Sequence, residues 1–409
     1  VCVDSASDGG TSSRDAGGRD SSSDAHGGAS DAHGGASDAE SDGSKREGGS
    51  GTDGSFMSNP TAGSLGFTVS NVDLETVDAG ALMGEPASGR APSDPDAGLW
   101  ANAPDVTPTS ASQTFSAPTI TITLMDGTSA DLYVWNSFTL PDTASLTFAD
   151  TNPVILAVLT TVSIQGTIYV NDGNAGGFSN AAPGPGAGQG GNGFAGNAGG
   201  GGGSFCGVGG SGGSSTSPGA IPAGGPTYGN ASLIPLVAGS NGGSAGPNGG
   251  RGGGAIQIAA GTSITVGPYG HIQAGGQGGY TAGGGSGGAI LLEAPTVVVQ
   301  GTLAANGGGG GSGDNDTTAS DGNPSAQPAP GQVDNLATGT AVGGVGSAGT
   351  TINGGNGGPN DPGTLTGGGG GGAGRIRINT TTGVATLMTG NIISPAMGTT
   401  CMTQGKLTP

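Results

Sequence analysis

At 409 residues the chain is long enough for two or three ordinary domains, but 96 glycines and 25 prolines leave much of it without side chains to build a core. Hydrophobic residues make up 32%, aromatics 4% and charged residues 9%, a balance that fits strands mixed with low-complexity inserts and not a typical cytosolic enzyme. A net charge of −20 with only nine Lys and Arg leaves no basic stripe to neutralise phosphates, which argues against nucleic acid and against an anionic membrane surface as partners.

The chain opens "VCVDSASDGG". Cys2 followed by a polar tract reads as the mature start of a bacterial lipoprotein, with a diacylglyceryl thioether on Cys2 as the only membrane attachment expected. Val1 departs from that reading, because a small residue is usual there. Residues 1–55 hold Ser, Asp, Gly and Ala almost exclusively, with "DAHGGAS" written twice from Asp24 to Ser37. A tract with so little to bury cannot offset the entropy of ordering, so a disordered tether is expected, with a reach of roughly 40 Å. His26 and His33 then belong to a duplicated linker more readily than to a metal site.

Residues 56–135 read as a β-rich cap. "LGFTVSNVDLETVDAG" and "PTITITLMDGTSADLYVW" alternate apolar and polar residues with the period of half-buried strands, separated by a Pro-rich loop. From residue 136 to 409 a repeat emerges when four segments are superposed: "VILAVLTTVSIQGTIYVNDGNAGG" from Val154, "AIQIAAGTSITVGPYGHIQAGGQGG" from Ala255, "AILLEAPTVVVQGTLAANGGGGG" from Ala289 and "RIRINTTTGVATLMTGNIISP" from Arg375. Ile155 and Ile290 each stand eleven positions ahead of a glycine, Gly166 and Gly301. Three short strands per unit of about twenty residues define one coil of a parallel β-helix, whose apolar face is buried only by stacking on the next. The expected fold is therefore all-β, a short right-handed parallel β-helix. The apolar run Pro153 to Ile164 is too short to cross a bilayer and reads as buried strand.

Glycine-rich inserts, at about 171–254, 275–288 and 307–373, leave each coil after its third strand. In several of them glycine recurs every third residue: Gly190, Gly193, Gly196, Gly199 and Gly202; Gly243, Gly246, Gly249 and Gly252; Gly343, Gly346 and Gly349. That is the repeat of the polyproline-II helix, and such helices can pack side by side where no side chain intervenes. Irregular loops are the alternative, since short runs of this period also arise by chance in glycine-dense sequence.

Chemistry is thinly represented. Glycoside hydrolysis needs two carboxylates across a cleft, and the coils offer Glu293 on a strand and Asp172 at a coil exit, with Arg251, Arg375 and Arg377 as the only nearby cations and His271 in what reads as a turn. GxGxxG strings abound, but no helical period follows them, so they carry no nucleotide site. "SGDNDTTASDGN" gathers Asp314, Asp316 and Asp321 in a loose calcium loop that lacks EF-hand spacing; calcium is the one cofactor the sequence suggests. Three cysteines leave no odd thiol if Cys2 carries lipid and Cys206 pairs with Cys401; the alternative is that both are free and buried.

At "GFTVSNVDL", "GGGGGSFCGVGG", "GGGAIQIAAGTSITV", "GGSGGAILLEAPTVVVQGTLAANGGGGG" and "GGGGGGAGRIRIN" the chain resembles uncharacterised glycine-rich surface proteins of myxobacteria, over about Phe67 to the C-terminus. The resemblance implies a secreted or lipoprotein-like β-helical protein with pectin-lyase-like architecture, and brings no active site. The expectation is a non-enzymatic adhesive or structural protein, extracellular or on an outer-membrane surface, touching polysaccharide or matrix through its inserts. The alternatives are a carbohydrate-active enzyme using Glu293 and Asp172, and binding of ice or another flat surface by an ordered glycine plate.

Overall fold

A computed structural model describes residues 68–72, 103–170, 175, 177–178, 182–189, 199–214, 221–244, 249–313, 318–333, 340–359 and 366–407. The tether, Cys2, Asp172, Asp314 and Asp316 lie outside the described residues.

In chain order the strands are β1 (Asp105–Val106), β2 (Ser112–Phe115), β3 (Ile120–Thr123), β4 (Ser129–Trp135), β5 (Ser137–Leu140), β6 (Ser145–Phe148), β7 (Val154–Val158), β8 (Thr161–Ile164) and β9 (Thr167–Tyr169), followed by β10 (Ala255–Ala260), β11 (Ser263–Val266), β12 (His271–Gln273), β13 (Ala289–Glu293), β14 (Thr296–Val299), β15 (Thr302–Ala304), β16 (Arg375–Thr380), β17 (Thr386–Leu387), β18 (Ile392–Ser394) and β19 (Met402–Lys406). The described residues contain strands and no helix. Successive strands go to three different sheets in rotation: β7, β10, β13 and β16 share one, β8, β11, β14 and β17 a second, and β9, β12, β15 and β18 a third. Within each sheet these strands run parallel.

Register follows the repeat seen in the sequence. Val154, Ile256, Ile290 and Ile376 align across the β7 sheet, as do Leu156, Ile258, Leu292 and Ile378. Val162, Ile264 and Val297 align in the β8 sheet, and Ile168, Ile272, Leu303 and Ile393 in the β9 sheet. All of these belong to one buried cluster. Each fully buried Ile or Leu contributes about 1.5–3 kcal/mol, and a one-residue slip would turn these columns to the opposite face.

The earlier strands join the same stack. β4 pairs in parallel with β7, β5 with β8 and β6 with β9, so the boundary expected at residue 135 runs through a three-strand unit. Only β3 is reversed, antiparallel on β4 at the edge. Phe115, Tyr133, Trp135, Phe138 and Phe148 meet here, with Trp135 and Phe138 centroids 4.9 Å apart and Tyr133 and Phe148 5.3 Å apart. Large rings fill the interior near this end of the stack, where β1, β2 and β3 are the outermost described strands. At the other end β19 pairs with β16.

The three glycine inserts leave between β9 and β10, β12 and β13, and β15 and β16, always at the passage from the β9 sheet to the β7 sheet. They are ordered. Along 282–288 the N–H groups of Gly283, Gly284 and Gly285 donate to Gly243, Gly369 and Gln277; Ser286, Gly287 and Gly288 then repeat the rotation to Ser240, Gly372 and Ala274, all at 2.7–3.0 Å. Segment 366–374 does the same: Gly367, Gly370 and Ala373 donate to Gly358, Gly355 and Ile352; Gly368, Gly371 and Gly374 to Gly311, Gly308 and Ala305; Gly369 and Gly372 to Gly200 and Gly203. Three donor directions in strict rotation are the threefold geometry of polyproline-II helices packed side by side. Carbonyls on 282–288 accept in turn from Gly250, Gly203 and Gly308, so this segment is enclosed by six neighbours.

Such packing excludes side chains. A Cβ on Gly287 would lie 2.0 Å from the Ala305 carbonyl oxygen, and one on Gly371 1.9 Å from that of Gly285. Gly287→Ala is therefore expected to lower unfolding free energy by about 1–3 kcal/mol through forced displacement of backbone. Val345→Ala, on the exposed side of the same assembly, should fall within about 0.5 kcal/mol of wild type. Denaturant titration of the two variants checks the contrast.

Candidate functional site

The strand carboxylate Glu293 projects from the outer face of the β7 sheet, and that face is covered. Leu132, Ile155, Ala259 and Leu291 pack there against Phe205, Leu233, Leu236 and Val69 in a second buried cluster. Both faces of this sheet are thus interior, which accounts for strands such as Val154–Val158 that are buried at every position.

Within that layer Glu293 is 0% exposed. Its Oε2 accepts from the Ser70 N–H at 3.0 Å and from Gln257 Nε2 at 2.6 Å, and its Oε1 accepts from Asn379 Nδ2 at 2.9 Å and from the Ser70 hydroxyl. Arg377 donates through Nε to Asn379 Oδ1 at 2.7 Å; burial pulls its pKa down, and the nearby Glu293 opposes that shift. Among the described residues Gln257 Oε1 has no partner. The carboxylate is a clamp joining the segment 68–72 to three strands. Enclosed and filled with donors, it offers neither a water nor a sugar a place to sit, so the pairing of Glu293 with Asp172 across an open cleft gains nothing from its half of the site.

The other sequence candidates divide similarly. Asp321 is exposed and accepts from the Gly278 N–H at 2.8 Å, and its two expected calcium partners lie outside the described residues. Among the described residues no three His, Cys, Asp or Glu side chains converge as a metal site. His271 is not in a turn but in β12; desolvation lowers its pKa, and its buried Nδ1 has no partner among the described residues. Arg375 lies over the Phe205 ring at 5.5 Å and donates to the Tyr228 carbonyl at 3.1 Å.

Cys206 and Cys401 are joined by a disulfide with an S–S distance of 2.07 Å, across 195 residues of sequence. It ties the first glycine insert to the residue preceding β19. In the loop-entropy view a closure of that length contributes about 5 kcal/mol.

What the inserts present outward is regular. Val208 and Ser214, Asn353, Asn356 and Pro359, and Val342 and Val345 are exposed and stand three or six residues apart within each group, while the glycines between them are buried or half-buried. Asn353 Oδ1 accepts from the Val208 N–H and Asn356 Oδ1 from the Ser211 N–H, both at 2.9 Å. A depression of about 350 Å³, lined by Ser211, Ser214, Ile221, Asn356 and Pro359 among others, lies between these rows. Neither the rows nor the lining includes an ionisable side chain. The signal in the sequence is the single non-glycine residue in "GVGGSGGS", "INGGNGGP" and "AVGGVGS", because one side chain per threefold turn is all that an outer helix can expose without blocking its neighbours.

Comparison of the chain with family models, with characterised proteins and with solved structures gives no match. Function is therefore argued from this geometry alone.

If Glu293 is architectural, Glu293→Gln should destabilise the fold by about 1–3 kcal/mol, because an amide sets N–H groups against the existing donors. Thermal and denaturant unfolding measure this; a variant as stable as wild type would contradict the clamp.

Proposed function

We propose that the chain is a non-enzymatic structural or adhesive protein of the cell surface or extracellular space, in which the stacked strands close as a short right-handed parallel β-helix and the glycine plate provides the contact surface. The kinship with glycine-rich myxobacterial surface proteins belongs to the same proposal. Its outer rows of Val, Ser, Asn and Pro meet neutral polysaccharide or matrix. The observation that carries this reading is the backbone-paired plate itself, uncharged on its outer rows and held to the strands by a disulfide. A cross-link of this kind persists in oxidising compartments, which supports placement outside the cytosol. Neutral rows with side-chain amides and hydroxyls beside Val and Pro suit a neutral ligand with both polar and apolar faces.

The test is binding of the full chain to a glycan array and to cell-surface material, alongside Ser211→Glu and Val345→Glu. Both variants should weaken binding roughly tenfold, as expected where about 1.4 kcal/mol of contact is lost, with unchanged melting. Binding that survives both variants, or is absent in wild type, would remove the plate as the contact surface.

A further inference from the structure

The β8 sheet differs from the β7 sheet in what lies over it. The β7 sheet is buried beneath the inserts. Around the β8 sheet, by contrast, the coils from β7 to β15 turn tightly on both rims, at 159–160, 261–262 and 294–295 on one side and 165–166, 267–270 and 300–301 on the other. No described segment is inserted at either of these rims.

Its outward positions on β5, β8, β11 and β14 are Ser137, Thr139, Thr161, Ser163, Ser263, Thr265, Thr296 and Val298, and β17 adds Thr386. All are exposed or half-buried, while the alternate residues Phe138, Leu140, Val162, Ile164, Ile264, Val266, Val297 and Val299 fill the interior. Register aligns them in two columns. Ser137, Thr161, Ser263 and Thr296 form one; Thr139, Ser163, Thr265, Val298 and Thr386 form the other. In-register parallel pairing spaces each column at about 4.8 Å between strands, and the pleat sets the two columns about 6.6 Å apart. Ser137 donates to Asp105 at 2.6 Å. Among the described residues the other hydroxyls of the array make no hydrogen bond within the protein. Asp105 on the edge strand is the only ionisable residue in the strands of this sheet, which also contain no Tyr, Trp or His.

We propose that this hydroxyl lattice on the outer face of the β8 sheet is an ice-binding surface. A lone hydroxyl gains little by exchanging water for another neutral partner, since a net hydrogen bond contributes only about 0.5–1.5 kcal/mol. A fixed array gains when its partner repeats in two dimensions and meets many hydroxyls at once, with the ordering cost already met by the sheet. Hydroxyls rotate to donate or accept, which matches a lattice of water molecules doing both, and the threonine methyls lie between them. Asp105 at the edge, in register with Ser137, is the array's single charge, too little to match an ionic solid, and strands without Tyr, Trp or His lack the rings that would stack on a sugar. This surface is distinct from the glycine plate, so the two readings fail separately.

The experiment is partition of the full oxidised chain between slowly growing ice and liquid, with inhibition of ice recrystallisation as a second readout. Wild type should concentrate in the ice. Thr161→Glu/Thr265→Glu should lower that partition roughly tenfold, about 1.4 kcal/mol, with melting unchanged. Val298→Thr, which completes the second column, should raise it, and Val345→Glu on the plate should leave it unaltered. Exclusion of wild type from ice would overturn the proposal. So would wild-type partition by the double variant, or loss that follows Val345→Glu. Retention on crystalline cellulose, lost in the double variant while ice excludes the wild-type chain, would replace ice with a polysaccharide solid. Should the double variant fail to fold, Val298→Thr decides alone, and no gain would overturn the assignment.

Discussion

A buried peptide group must find a hydrogen-bond partner, and nearly everything distinctive in this protein follows from how its glycine inserts meet that requirement. They have few side chains to offer and form no sheet. The N–H groups of 282–288 and 366–374 instead turn through three directions in succession and find a neighbouring backbone in each. The neighbours of 366–374 come from the first, second and third inserts alike, through Gly200 and Gly203, Gly284 and Gly287, and Gly308 and Gly311. No insert can satisfy its own backbone by itself, which makes their order collective.

That collective order depends on the strand stack. All three inserts leave at the same passage between two sheets, so their roots are spaced by the stacked strands, and the plate lies over the outer face of the β7 sheet. Phe205, Leu233 and Leu236 seal it there, and the Cys206–Cys401 disulfide fixes one insert to the end of the stack. The β8 sheet, on which no insert is rooted, has outward positions of serine, threonine and one valine that are exposed or half-buried among the described residues. One architecture thus yields two unlike surfaces: a plate with rows spaced by the threefold helix, and a sheet whose lattice is spaced by strand pairing.

The two kinds of candidate site were unequally legible. Glu293 drew attention as the one acidic strand residue in the repeat, yet its role depends on Ser70, 223 residues earlier in sequence, and on Asn379 arriving opposite it by register. Nothing local reports that enclosure. His271 read as a turn residue because "PYGH" carries turn chemistry, but the turn closes at Gly270 and leaves the histidine to begin β12. The outward rows of the plate were visible as the lone non-glycine residue in each xGG triplet, once period three is known to be real. The hydroxyl columns were visible only as unremarkable alternation within each strand; their meaning appears when register places one strand beside the next.

By itself, the sequence determined the strand repeat, its three-strand unit and the common exit of the inserts, because hydrophobic period and glycine punctuation are local properties of the chain. It left the pairing of Cys206 with Cys401 as one of two options. Only the tertiary structure decided that the glycine segments pair with one another, that Glu293 is a clamp and that hydroxyls align in columns on the β8 sheet. Each of those outcomes depends on which segments become neighbours, and burial, hydrogen-bond satisfaction and lattice spacing are properties of neighbours rather than of residues.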